Sequence, residues 1–363
     1  MSKIENYMNK KRSLLAVLIA VAVVIIMAGL YVLRQSEKYK SVKIVRQDSE
    51  QKIDIYVNNA LFTTFQYPHD FEKTFLYPIY APNGSVVTRG FPLEPRKGER
   101  VDHPHQVGLW FNHGNVNGLD FWNNSSAIPA DRKNEFGNIE LQKISEIREG
   151  KKGYLEVVQN WKDNSGNTVL TENVIYVFAG NKKSGMIDHI STLTAVNDPV
   201  IITDNKEGLF AIRVDRAFEM PSEESLIFTD ENGNPTVVPA IDNTGVTGMY
   251  KSSRGLTGAD VWGTRNNWVF LTGTKDNTII TFGIFDHPSN PGYPAYAHAR
   301  GYGLFSVNNL GQNAYDPEQD KVTYNLNKGE SITLKHRFYI RSGSEISDKQ
   351  ADKIFRNFSQ EYQ

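Results

Sequence analysis

The sequence has no cysteine. That excludes disulfides, thiolate metal sites, a cysteine nucleophile and a lipid-modified cysteine anchor. It has almost no net charge: 40 Lys and Arg against 41 Asp and Glu leave a formal charge of -1. No global field draws it to nucleic acid or to an anionic membrane surface. There is no glycine-rich phosphate loop, no Gly-x-Ser-x-Gly elbow and no His-Glu-x-x-His, so nucleotide, serine-esterase and zincin chemistry lose ground. No linker rich in Pro, Gly or Ser divides the chain. No short repeat suggests a propeller or solenoid.

One long apolar run is present. "NKKRSLLAVLIAVAVVIIMAGLYVLRQ" sets Lys10, Lys11 and Arg12 before an uncharged stretch from Leu14 to Leu33. Twenty helical residues span about 30 Å, the hydrocarbon thickness of a bilayer. A signal-peptide core is usually shorter, and no small-x-small cleavage site follows cleanly. The reading is an uncleaved signal anchor. Residues 1–13 form a basic cytoplasmic tail, 14–33 a transmembrane helix, 34–40 a tether, and 41–363 one domain on the periplasmic or extracytoplasmic side of the cell membrane. A cleaved signal peptide is the competing reading.

Beyond the tether the pattern has period two. "KIDIYVNNALFTTFQY" alternates Ile53, Ile55 and Val57, then turns at Asn58-Asn59, a hairpin signal. "GYLEVVQNWKDNSGNTVLTENVIYVF" flanks a cluster of turn formers with two β-rich runs. Helical spacing arises only at the C-terminus, where Ala351, Ile354, Phe355 and Phe358 follow a capping Ser347. The expectation is an all-β domain, a large antiparallel β-sandwich, closed by a C-terminal helix.

Two segments carry the chemistry: "VDHPHQVGLWFNHGNVNGLDFW" and "FDHPSNPGYPAYAHARGYGLF". Five of the chain's eight histidines lie in them: His103, His105, His113, His287 and His298. A residue before proline favours extended backbone, so His103 and His287 are expected there, with His103 and His105 on one face. Two imidazoles on one face suit proton transfer to a polar substrate or a metal ion. His103 and His105 are the metal candidates, with a third ligand such as Asp120, Glu207, Asp286, His287 or His298 arriving from a distance. A divalent metal is therefore one reading, and no other cofactor is expected. Buried structural histidines are the plain alternative. The aromatics Trp110, Trp122 and Tyr296, interspersed with Asn117, His113, His298 and Arg300, suit the CH faces and hydroxyls of a sugar ring. Core packing is the alternative for the tryptophans. "KEGLFAIRV" adds Glu207 and Arg213 around a β run, and "ADVWGTRNNW" adds Arg265.

Together "EPRKGERVDHPHQVGLWFNHGNVNGLDFW", "KEGLFAIRV", "VWGTRNNW" and "IFDHPSNPGYPAYAHARGYGLFSVNNLG" resemble the hallmark blocks of the bacterial family labelled methane oxygenase PmoA. The resemblance runs from about Val42 to Ile340 and departs from the family pattern at Gln106 and Ala297. Such proteins are exported in Bacteroidetes and Planctomycetes, often near carbohydrate-degrading genes. The resemblance implies a galactose-mutarotase-like supersandwich that binds sugar on the concave face of a large sheet. It implies His103, His105 and His287 as acid and orienting groups, Glu207 or Asp286 as base, and Arg213 as a clamp. The expected function is carbohydrate chemistry at a cleft where both Asp-His-Pro segments meet, of epimerase, lyase or hydrolase type. A non-catalytic sugar-binding module and a metal-dependent oxygenase or hydrolase are the alternatives. The expected partners are a carbohydrate ligand and, through the N-terminal helix, the cytoplasmic membrane, without nucleic acid. The oligomeric state is open.

Overall fold

The computed structural model describes residues 8, 18–27, 41–197, 199–223, 226–230, 232, 234–238 and 242–362. Met1–Lys40 and Ser41–Gln363 form separate compact units. Residues 18–27 are helical, and the rest of the apolar run falls outside the described residues. Among the described residues no helix is long and apolar enough to cross a membrane.

Period two in sequence becomes period two in burial. The strand Gly153–Lys162 buries every second residue, as a strand with one wet face must. It belongs to an eight-stranded antiparallel sheet in the order Met249–Ser252, Trp268–Lys275, Thr278–Asp286, Ser331–Ser342, Ser184–Ala195, Thr168–Gly180, Gly153–Lys162 and Asn138–Arg148. A second eight-stranded sheet runs Val42–Gln47, Lys52–Val57, Ala60–Gln66, Phe75–Ile79, Leu109–His113, Gly208–Arg213, Leu304–Asn308 and Tyr296–Ala299. Ile53, Phe65, Phe111 and Phe210 of the latter meet Val157, Val174, Leu334 and Phe338 of the former in one core. Full burial of each such side chain contributes about 1.5–3 kcal/mol, so this interface is the main stabilising layer of the sandwich.

The last four strands of the second sheet break the alternation. Leu109–His113, Gly208–Arg213, Leu304–Asn308 and Tyr296–Ala299 are buried at every position. Their outer face is roofed by loops and carries its own apolar cluster, including Phe75, Tyr77, Val107, Trp110, Trp122 and Leu304. The helix Asp348–Glu361 begins with the Ser347–Gln350 capping box and buries Ala351 and Phe358 against Trp268, Phe270 and Phe285 of the other sheet. Arg337 fastens it, donating to Asp188 and to Glu361.

Candidate functional site

The roofed face is built in rows. Trp110 opposes Ala211, Ala211 opposes Ser306, and Ser306 opposes His298. Directly opposed residues share a face, so the row runs from a bulky wall across two small residues to an imidazole. Trp122 lies over the gap, its ring 5.2 Å from Trp110 and 6.4 Å from His298, 17° from parallel to the latter. Asp120 aims it: one carboxylate oxygen accepts from the Trp122 and Asn123 amides at 2.8 and 2.9 Å.

Above this floor sits the loop from Arg100 to Gln106, wrapped around one buried guanidinium. Arg89 donates to the carbonyls of Arg100, Asp102, His103 and Gln106 and, at 2.6 Å, to the Asp102 carboxylate. Arg213, fully buried, donates to the same Asp102 oxygen at 2.6 Å and also to Gln106. Burial pushes the Asp102 carboxyl up, but His103, Arg213 and Arg89 outweigh it and hold the carboxyl well below the ordinary range. His103 Nδ1 lies 3.2 Å from Asp102, so its Nε2 edge is left for a substrate. The His103 ring is 42% exposed and stacks on Tyr302 at 5.3 Å, 1° from parallel.

The backbone here departs from expectation. His103 is not extended: its φ is 45°, a left-handed conformation that is strained for a non-glycine residue and disfavoured before proline. Arg89 imposes it by gathering the carbonyls on both sides, and the Gln106 amide closes the turn on His103 O at 2.9 Å. Such strain costs about 1–3 kcal/mol and is found mostly at working sites.

The neighbouring imidazoles stay neutral. His105 is pushed far down by burial and by Lys73, His103, Arg213 and Arg89. His298 is pushed down to about 3 by burial, with Arg300 and Lys206 adding to it. Both can accept or donate hydrogen bonds without carrying a proton charge, and His103 is the imidazole of the three whose ring is exposed. Lys73, buried with its ammonium 5.3 Å from the Trp110 ring centre and bonded to the His105 carbonyl, is lowered to about 7 by desolvation. Glu207 stands at the entry to the strand Gly208–Arg213. Burial raises it, Lys206 lowers it, and it feels both Asp120 and His103.

The second Asp-His-Pro segment goes elsewhere. Asp286 ends a strand of the other sheet, fully buried, accepting from Asn290, Asn309 and the Ala295 amide at 2.7–3.1 Å. Burial raises it to about 7. His287 bonds Ser289 at 2.8 Å and sets its ring edge-on to Phe358 of the C-terminal helix at 5.1 Å. Neither reaches His103, so the expected meeting of the two tripeptides does not occur. The same segment reaches the site through its later residues, His298 and Tyr302. His113 bonds the Thr203 carbonyl at 2.7 Å and burial lowers it to about 4. Asn117 (φ 53°) pins Ile201. Arg265 ties down the Gly292 and Pro294 carbonyls beside Tyr296, which stacks on Tyr315. Among the described residues no group of three or more His, Asp or Glu is spaced to hold a metal ion. The positioning arginine, Arg89, was overlooked in the sequence. Its signal was a lone arginine, followed by glycine, ending the apolar run "SVVTRG".

A cavity of about 600 Å³ opens beside Tyr302, lined also by Arg100, Met220, Trp262 and Arg300. Another, of about 540 Å³, is lined by His69, Glu72, Lys73 and Lys133 and does not reach His103.

No curated protein matches the chain. Among solved structures it is similar to the galactosidase domain of an α-galactosidase–sucrose kinase, at 10% identity over 83% of this chain and 42% of that one, TM-score 0.37. It is similar at 10% identity to an α-galactosidase of Geobacillus stearothermophilus, over 83% of this chain and 41% of that one, TM-score 0.34. A galactose mutarotase-like protein of Clostridium acetobutylicum matches at 11% identity over 83% of this chain and 98% of that one, TM-score 0.34. The chain thus spans about two fifths of the length of the two galactosidases. The resemblance to the methane-oxygenase family is overturned, because the family model that matches carries no such activity. That match covers residues 52–356, and the chain belongs to the family of unknown function DUF6807.

Proposed function

We propose that the roofed face binds a carbohydrate and performs acid/base chemistry on it. One observation carries the reading. Among the described residues thirteen buried side-chain nitrogens have no hydrogen-bond partner, and six of them gather here: His105 Nε2, Trp122 Nε1, His298 Nδ1 and the Nε atoms of Arg89, Arg213 and Arg300. These six belong to side chains of this face or its rim. An unsatisfied buried polar group costs about 1–3 kcal/mol, so such a concentration suits a ligand rich in hydroxyls. Aromatic rings beside these nitrogens supply the apolar contacts a pyranose needs.

In this reading His103 donates or accepts the proton. Asp102 fixes its tautomer and orientation, in the way a buried carboxylate steers a catalytic imidazole. Glu207, raised by burial, is the base or acid of the opposite step. Tyr302 holds the imidazole plane. The reaction class is proton transfer at a sugar carbon or glycosidic oxygen, of epimerase, lyase or hydrolase type. We further propose that the apolar run 14–33 tethers the domain to a membrane. In support, Leu18, Ile19 and Val24 to Met27 are 56–64% exposed, an apolar surface that water does not favour.

The test is turnover by the full chain against a panel of mono- and oligosaccharides, followed by NMR of the sugar protons. His103→Gln is expected to lower turnover about 10²–10⁴-fold with the melting temperature unchanged. Saturable binding without turnover would make the protein a sugar-binding module. Neither binding nor turnover with any sugar would end the proposal.

A further inference from the structure

The chain has five tryptophans, and four are 0–2% exposed: Trp110, Trp122, Trp161 and Trp268. The fifth, Trp262, is 36% exposed. It follows the 3₁₀ turn Gly258–Val261, whose Val261 is fully buried, and it is tied to the sheet because the Gly263 amide donates to Ala297 O at 2.9 Å. A large apolar ring held rigid yet left in water is a contact surface in waiting.

Trp262 lines the cavity of about 600 Å³ beside Tyr302, a volume within the range of about 300–1,000 Å³ typical of small-molecule sites. Two guanidiniums line the same cavity, and they differ in one respect. Arg100 is neutralised by Glu219 at 2.7 Å, both being nearly fully buried. Arg300 has no carboxylate within ion-pair distance among the described residues. Its guanidinium lies 5.3 Å over the Trp262 ring, and its Nε is buried without a hydrogen-bond partner. Among the described residues no carboxylate lines the cavity.

The cavity adjoins the candidate site through Tyr302. Tyr302 faces it and stacks on His103. Arg300 lies two residues beyond His298, and Trp262 contacts Tyr315, which contacts His298.

We infer that this cavity is a subsite for an acidic sugar residue, with the ring face on Trp262 and the carboxylate paired to Arg300. The inference rests on the carbohydrate reading and adds the substrate class. A neutral sugar leaves the guanidinium without a counter-ion, whereas a planar carboxylate matches its fork of donors. A sulfate ester offers the same charge with a different shape.

The experiment is titration calorimetry of the full chain with oligouronides of the common hexuronic acids. The same oligomers as methyl esters, which keep the ring and remove the charge, are the comparison. Sulfated and neutral oligosaccharides complete the set. One acid is expected to bind at least about tenfold more tightly than its methyl ester, with the gap shrinking as salt rises. Arg300→Gln should erase the gap, and Trp262→Ala should weaken acid and ester alike. Preference for the sulfated oligomer over every uronide would overturn the carboxylate assignment. Equal binding of acid and ester would overturn the subsite and leave the carbohydrate reading standing. No binding of any sugar, charged or neutral, would overturn both.

Discussion

Two copies of one tripeptide have opposite fates in this molecule. Asp102-His103-Pro104 crosses the rim of the roofed sheet, with its imidazole exposed and its aspartate shared by two buried arginines. Asp286-His287-Pro288 ends a strand of the other sheet, with its aspartate among amides and its imidazole 2% exposed under the C-terminal helix. Pro288 follows the end of a strand, where proline terminates pairing, whereas Pro104 lies in a turn. The partners decide the rest. Arginines keep one carboxylate ionised and able to orient a histidine. Amides stabilise the other through hydrogen bonds alone, and burial then favours its protonated form.

The sharpest way to break this contrast is to exchange the roles by mutation. His103→Gln is expected to remove turnover by about 10²–10⁴-fold. His287→Gln should leave turnover within about threefold and lower stability by about 1 kcal/mol, the usual worth of a buried hydrogen bond. Steady-state rates and thermal unfolding of both variants measure this. Equal loss of turnover in the two would mean that the second segment reaches the chemistry after all.

The aspartates sharpen it further through pH. At neutral pH Asp102→Asn is expected to cost about 3 kcal/mol, because two buried guanidiniums lose their shared counter-ion. The Asp102 carboxyl is depressed in the folded state, so its contribution is present above its unfolded pKa of about 4 and fades as pH falls below that. Asp286 is raised to about 7, so wild-type stability falls as pH climbs from about 4 to 7 while the unfolded chain ionises first. The deficit of Asp286→Asn should therefore shrink over that interval, whereas that of Asp102→Asn grows as pH rises toward about 4 and stays constant above it. Urea unfolding of wild type and both variants between pH 3 and 8 would show these two pH dependences, and parallel dependences would refute the contrast.

The sandwich and the C-terminal helix were legible because each rests on a local pattern. Alternation at Gly153–Lys162 and the Ser347 cap are written in neighbouring residues. The site was legible only where one segment supplies it, as with His103, His105 and Trp122. Its long-range parts were not. Nothing in "SVVTRG" says that Arg89 folds a loop more than ten residues away, and the pre-proline preference of His103 pointed the wrong way because that arginine overrides it. The likeness of the two Asp-His-Pro blocks misled for the same reason. A tripeptide does not encode whether arginines or asparagines will surround it.

Arg89 thus gives a subtler test of what separates the segments. Arg89→Lys keeps the charge near Asp102 but cannot reach the carbonyls of Arg100, Asp102, His103 and Gln106 together, since an ammonium lacks the planar fork. The expected result is a loss of about 2–3 kcal/mol in stability, two or three hydrogen bonds' net worth, and a larger fall in kcat than rise in KM. A purely structural arginine would lower stability and leave kcat of the folded fraction intact.

The smallest expected effect concerns Glu207. A β-carbon on Gly114 would meet the Glu207 side chain at 2.9 Å and that of Asn205 at 3.0 Å, closer than such atoms approach in folded proteins. Gly114 also holds this loop directly, since its amide donates to Glu207 O at 2.8 Å. Gly114→Ala must therefore shift Glu207 by a few tenths of an ångström while leaving Asp102, His103 and Arg213 where they are. If Glu207 works opposite His103, so slight a displacement should lower kcat several-fold, because misplacing a reacting group by 1 Å can cost about 10²-fold. The stability change should stay near 1 kcal/mol, the scale of modest overpacking. An unchanged kcat would move Glu207 out of the proton-transfer step and leave Asp102 and His103 as a dyad acting without it.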